Sequence, residues 1–140
     1  MGSVTGTYEH SMDAKGRLFI PARLREELGE EFYLAMGVDT CLAIYPRESW
    51  ERFTEKFASL PVSKSRAMRS LFANAVKCVP DGQGRIVIPQ RLRTYAELEK
   101  ETVIIGVHNR AEIWNARLWY AEEEEMTPAR MAALMDSLEL

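Results

Sequence analysis

The chain has 140 residues, 46% of them hydrophobic and 28% charged, which excludes a disordered polymer and allows one folded unit or two very small ones. No apolar run approaches the roughly 20 residues that span a bilayer and no basic start leads into one, so no membrane partner is expected and the expected setting is the cytoplasm, with Cys41 and Cys78 reduced. The 18 bases and 21 acids give a net charge of −3 that is unevenly spread: residues 61–100 hold eight bases against three acids, whereas after residue 120 six acids face Arg130 alone.

Thr5–Met12 and Leu18–Ile20 read as short strands. Between them lies Asp13-Ala-Lys-Gly16-Arg17, a turn in which the Asp carboxylate can bond the backbone two residues on and Gly supplies a positive φ. Pro21 suits the first position of a short helix with Leu24 and Leu28 on its apolar face. Strands follow at Phe32–Met36 and Cys41–Tyr45, joined by Gly37-Val-Asp-Thr. Glu48–Leu60 then places Trp50, Phe53, Phe57 and Leu60 on one helical stripe, and Ser63–Ala75 places Met68, Leu71, Phe72 and Ala75 on another.

The next strands, Ala75–Pro80 and Ile86–Ile88, flank Asp81-Gly-Gln-Gly84-Arg85. A helix after Pro89 carries Leu92, Tyr95, Ala96 and Leu98, and Thr102–Val107 and Glu112–Trp114 complete the strands. Glu122–Glu125 reads as a solvated segment ahead of a final helix. That helix has Thr127 as N-cap and Pro128 at its first position, with Met131, Leu134, Met135 and Leu138 at i, i+3, i+4 and i+7. Such stripes are packing faces, not cofactor boxes.

The second half repeats the first. Of the thirteen positions from Asp13 to Arg25, eight are identical 68 residues later, from Asp81 to Arg93. With one residue inserted the match resumes, Gly37-Val38 on Gly106-Val107, Ile44-Tyr45 on Ile113-Trp114 and Trp50 on Trp119. The chain is a tandem duplication of a ββ-α-ββ unit. Residues 1–60 hold the first unit and its following helix, 61–75 a linking helix, 76–120 the second unit, and 121–140 an acidic segment and helix. Strands this short need a neighbour, so the two units are expected to pack about a pseudo-twofold axis. The fold class is α+β, mainly β, as an antiparallel sheet or barrel with the short helices outside.

Catalytic and cofactor chemistry finds no support. His10 and His108 have no ligands at metal spacing, the cysteines form no C-x-x-C, and G-x-S-x-G, Walker and G-x-G-x-x-G patterns are lacking. No metal, cofactor, small-molecule substrate or enzymatic activity is therefore expected. What remains is a pair of turns, each with Asp, Gly and Arg, followed closely by Arg-x-Arg. Asp13, Gly16, Asp81 and Gly84 are read as turn-forming. The candidate DNA contacts are Arg17 and Arg85 first, with Lys15, Arg23, Arg25, Arg91 and Arg93. Twofold-related arginines on rigid strand starts suit guanine edges or phosphates of a duplex. A simple ion pair of Asp13 with Arg17, and of Asp81 with Arg85, is the competing use of the same side chains.

The run Tyr8-Glu-His-Ser-Met-Asp13-Ala-Lys-Gly-Arg17-Leu-Phe-Ile-Pro21-Ala-Arg23-Leu-Arg25, with its second copy from Asp81 and the Glu112-Ile-Trp114 strand, closely resembles the bacterial MraZ family over essentially the whole chain. It departs at the start, where Met1-Gly-Ser-Val-Thr-Gly6 replaces the usual Met-Phe-x-Gly. The resemblance implies an AbrB-like swapped-hairpin barrel. It also implies a transcriptional regulator, nucleoid-associated, that binds double-stranded DNA at direct repeats in the promoter of the division and cell-wall gene cluster and assembles into homo-oligomeric rings. By motif match the family's DNA-contacting arginines fall on Arg17 and Arg85. AbrB-like barrels also occur in antitoxins, so a protein-interaction module is the alternative.

Overall fold

Each repeat begins with two strands that are too short to stand as a hairpin, and in the computed structural model both find their partners in the other repeat. The structure describes residues 2–61 and 65–140. The expected helix start at Ser63 and the Lys64 charge lie outside the described residues. The strands are β1 Thr7–Ser11, β2 Arg17–Phe19, β3 Phe32–Met36, β4 Leu42–Pro46, β5 Val76–Cys78, β6 Arg85–Val87, β7 Glu101–Gly106 and β8 Ala111–Asn115. The helices are α1 Ala22–Leu28, α2 Arg47–Glu55, α3 Ser65–Ala73, α4 Gln90–Tyr95, α5 Ala116–Glu124 and α6 Pro128–Ser137, with a 3-10 turn at Lys56–Ser59. The class is α+β and mainly sheet.

The pairing is antiparallel throughout. A six-stranded sheet runs β1-β7-β8-β4-β3-β5, and β2 and β6 form a separate two-stranded ribbon. Strand β1 of the first repeat pairs with β7 of the second, and β5 of the second with β3 of the first. The registers obey a pseudo-twofold axis. Leu18 faces Ile86 at the centre of the ribbon with Arg17–Val87 and Phe19–Arg85 on either side, and Ala43 faces Glu112 at the centre of the β4–β8 pair. The ladder stays open: among the described strands, none bonds an edge of the large sheet to the ribbon, so the pairing is not that of a closed barrel.

The core lies between sheet and ribbon. Leu18, Ile20, Ile86 and Ile88 from the ribbon side meet Leu34, Ile44, Ile104 and Ile113 from the sheet, and α1 and α4 close it with Leu24, Leu28 and Leu92. Pro21 and Pro89 stand one residue ahead of these helices instead of within them. The other face of the sheet is covered twice. Trp50 and Phe53 of α2 with Leu71 of α3 pack on Ala35, Ala43 and Tyr45, and Leu118 and Trp119 of α5 lie with Val103, Ile105 and Trp114.

Two differences from the sequence expectation have local causes. Across its pair, Leu34 opposes Ile44 as Ile104 opposes Ile113, so the counterpart of Gly106 is Met36 and not Gly37. Gly106 is glycine for its own reason, because a Cβ there would collide with the backbone of Thr5. That crossing is part of an ordered N-terminus, with Val4 buried and exchanging backbone hydrogen bonds with His108 at 2.7 and 2.8 Å. Secondly, Glu122–Glu124 form the last turn of α5 instead of a segment leading into a helix. The Asn115 side chain caps α5 by accepting from the Arg117 and Leu118 N–H groups, and burial around Trp119 outweighs the unfavourable placement of acids at a helix C-terminus.

Because Leu18 is fully buried on the pseudo-twofold axis, Leu18→Ala is expected to lower the unfolding free energy by about 2–5 kcal/mol, read from urea midpoints at constant slope.

Candidate nucleic-acid interface

Residues facing each other across an antiparallel pair project to the same side. With Leu18 and Ile86 turned into the core, the ribbon therefore shows Arg17, Phe19, Arg85 and Val87 on its outer face. Arg17 and Arg85 are diagonal neighbours there, a placement that in antiparallel pairs keeps residues within about 7–8 Å of each other. They are half-exposed, at 37% and 33% of the side chain.

Both turns hold their arginine in the same way. Asp13 Oδ1 accepts the backbone N–H groups of Lys15 at 3.0 Å and Arg17 at 2.8 Å, while its Oδ2 accepts from Arg17 Nε at 2.6 Å. Asp81 Oδ1 accepts from Gln83 at 2.9 Å and Arg85 at 3.0 Å, and Oδ2 from Arg85 Nε at 3.1 Å. Gly16 and Gly84 complete the turns at φ 84° and 76°. The ion pairs that compete with a binding role are thus present, yet they occupy only Nε. Among the described residues neither guanidinium makes a hydrogen bond through its Nη atoms, so each is oriented with its outer edge free.

The second arginine of each Arg-x-Arg does something that periodicity does not disclose. Arg25 Nε donates to the Ile20 carbonyl and Arg93 Nε to that of Ile88, both at 2.9 Å. Each also crosses to the other repeat. A Cβ on Gly16 would come within 2.9 Å of Arg93 Nε, and one on Gly84 within 3.2 Å of Arg25 Cζ and 3.0 Å of the Phe19 ring. Ribbon hydrogen bonds from Ile20 to Gly84 and from Ile88 to Gly16, both 2.8 Å, bring these groups together. Arg25 and Arg93 therefore buttress the turns, each pressed against the opposite glycine. Arg23 and Arg91 are exposed on the first turns of α1 and α4, and Lys15 is exposed at the tip of the first turn, where the second has Gln83.

Other chemistry is sparse. Among the described residues no group of three or more His, Cys, Asp or Glu side chains is placed to hold a metal, and no helix is long and apolar enough to cross a membrane. Cys41 and Cys78 are free and buried, and desolvation pushes their thiols up to about 12 and about 11, so neither is a nucleophile at neutral pH.

A family model described as "MraZ protein, putative antitoxin-like" matches the chain twice, over residues 4–70 and 71–136, so that each match holds one ββ-α-ββ unit. The chain belongs to the MraZ family. Among MraZ relatives, the "Transcriptional regulator MraZ" of Halothermothrix orenii is 45% identical over 95% of this chain and 96% of its own. That of Carboxydothermus hydrogenoformans is 50% identical over 81% and 82%, and that of Pelotomaculum thermopropionicum 53% identical over 81% of each. The two MraZ repeats are the halves of the strand exchange, and the turns carrying Arg17 and Arg85 occur once in each.

The Asp13 and Asp81 carboxyls are held below the ordinary value of 3.8, chiefly by the backbone N–H groups of Arg17 and Arg85. A depressed carboxyl stabilises the fold above its unfolded value and stops doing so as pH falls through its native one. The double variant Asp13→Asn with Asp81→Asn should be less stable than wild type at pH 7, with a gap that holds down to the ordinary value of 3.8 and narrows below it. Urea midpoints across a pH series measure this, and a gap independent of pH would show that charge plays no part in the turns.

Proposed function

We propose that the chain is a transcriptional regulator that binds double-stranded DNA sequence-specifically and without catalysis, at direct repeats in the promoter of the division and cell-wall gene cluster. The observation that carries this reading is the ribbon face, where Arg17 and Arg85 are oriented by carboxylates through Nε with their Nη atoms free. A two-stranded ribbon fits the major groove, and a pre-oriented guanidinium suits the bidentate contact to guanine O6 and N7. The names of the relatives support regulation of transcription.

In this reading Arg17 and Arg85 meet base edges roughly two base-pair steps apart, from their diagonal spacing and the 3.4 Å step of a duplex. Lys15, Arg23 and Arg91 take phosphates, and Arg25 and Arg93 keep the turns in place. Copies of the chain assemble into a ring that repeats this small basic face and so raises avidity, offsetting the negative net charge. The site of action is the cytoplasm, at the nucleoid.

Arg17→Ala and Arg85→Ala should each weaken specific binding by about 1–3 kcal/mol per engaged site while leaving the fold intact by circular dichroism. Fluorescence anisotropy with a direct-repeat promoter fragment reads this; unchanged affinity of the folded double variant would sink the assignment.

Assembly adds a geometric condition. Neighbouring copies must meet repeats on one face of the duplex, about one helical turn or 10 base pairs apart. Inserting about half a turn between repeats should abolish cooperative binding, while log affinity for one repeat still falls linearly with log salt concentration. Equal affinity for both spacings would reduce the turns to a generic polyanion surface.

A further inference from the structure

The ribbon leaves one part of the molecule unused, the C-terminal arm. Every residue from Tyr120 to Leu140 is exposed, and the stripe of α6 stands in water, with Met131 at 40%, Leu134 at 48%, Met135 at 39% and Leu138 at 57% exposure. Isolated helices shorter than about 12–15 residues are marginal in water, and α6 has 10. An apolar stripe on so short a helix needs a surface to lie on. The arm is also acidic, with Glu122–Glu125, Asp136 and Glu139 against Arg130.

Beside α2 a cleft of about 300 Å³ opens toward the β3–β4 and β7–β8 turns, lined by Val38, Tyr45, Arg52, Phe53, Lys56 and Arg110 among others. Its apolar wall includes Val38, 89% exposed. Its charge is basic. Arg52 and Lys56 are exposed and, among the described residues, neither side chain has an ion pair or hydrogen bond, while the acids Glu48, Glu51 and Glu55 lie outside the lining of the cleft. Glu112 is buried and already bound to Arg110 at 3.0 Å and to the Trp114 indole at 3.1 Å. No residue of the arm lines the cleft of its own chain.

We propose that the acidic arm of one copy, from the end of α5 through α6, docks in the basic cleft beside α2 of a second copy. The Met and Leu stripe covers the apolar wall, and the acids meet Arg52 and Lys56. Since arm and cleft are different surfaces, the contact is head-to-tail, the kind that propagates from copy to copy and forms a ring where the rotation closes. This rests on the reading that copies assemble, and it supplies the contact surfaces.

The test uses two full-length variants, an arm variant, Leu134→Glu with Leu138→Glu, and a cleft variant, Arg52→Glu with Lys56→Glu. All four positions are exposed, and if the cleft variant loses its circular-dichroism signature, Arg52→Ala with Lys56→Ala takes its place. In sedimentation velocity at micromolar concentration, wild type should run as an oligomer and each variant alone as a monomer. Their equimolar mixture should form a 1:1 complex that grows no further, because it holds one intact arm and one intact cleft. A variant that assembles like wild type, or a mixture that stays monomeric, overturns the docking while leaving assembly itself standing. A monomeric wild type overturns both, and binding of a single DNA repeat would be untouched in either case.

Discussion

The exchange of strands between the repeats is the constraint on which everything else rests. Among the described strands, β1 bonds only to β7 and β5 only to β3, while the three-residue strands β2 and β6 bond only to each other. Half of this chain would leave two unpaired sheet edges and a single ribbon strand with Leu18 and Ile20, or Ile86 and Ile88, in water. Folding is therefore a property of the pair, and linking both repeats in one chain removes the concentration dependence a dimer of single repeats would have.

The same exchange explains how the exposed turns are held in place. A connection of five or six residues at a surface is ordinarily among the least stable parts of a protein. Here each is braced from within by its aspartate and from without by an arginine of the opposite repeat, Arg93 against Gly16 and Arg25 against Gly84. Positive charge thereby meets the turns in two ways along a few residues, Arg17 and Arg85 bonding the aspartates and Arg25 and Arg93 the Ile20 and Ile88 carbonyls, each through Nε.

The sequence disclosed what is local. The bond that Asp13 accepts from the Lys15 amide, the glycine at positive φ and the strands, to within a residue or two at their ends, depend on neighbours a few residues away, and turn chemistry and alternation expose them. The partner of each strand is a long-range choice among similar apolar strips, so the doubled motif led to a twofold sheet without saying that β1 would seek β7 or that the ladder would stay open. The buttressing by Arg25 and Arg93 escaped for the same reason, since it exists only once the ribbon has formed. Helix α5 was hidden by the glutamates of its last turn, although the match of Trp50 to Trp119 was a signal that a counterpart to α2 should stand there.

Joining the repeats in one chain has a further consequence, because the two halves are free to diverge. Lys15 stands against Gln83 at the tips and Phe19 against Val87 on the outer face of the ribbon. A face built from two identical halves is blind to direction and selects a palindrome. One whose halves differ in charge and bulk has a polarity, and under the proposed reading it distinguishes a binding site from the same site reversed. Successive copies facing one way around an assembly would then require sites that all point the same way along the duplex, and an inverted arrangement would present every second copy with its target backwards.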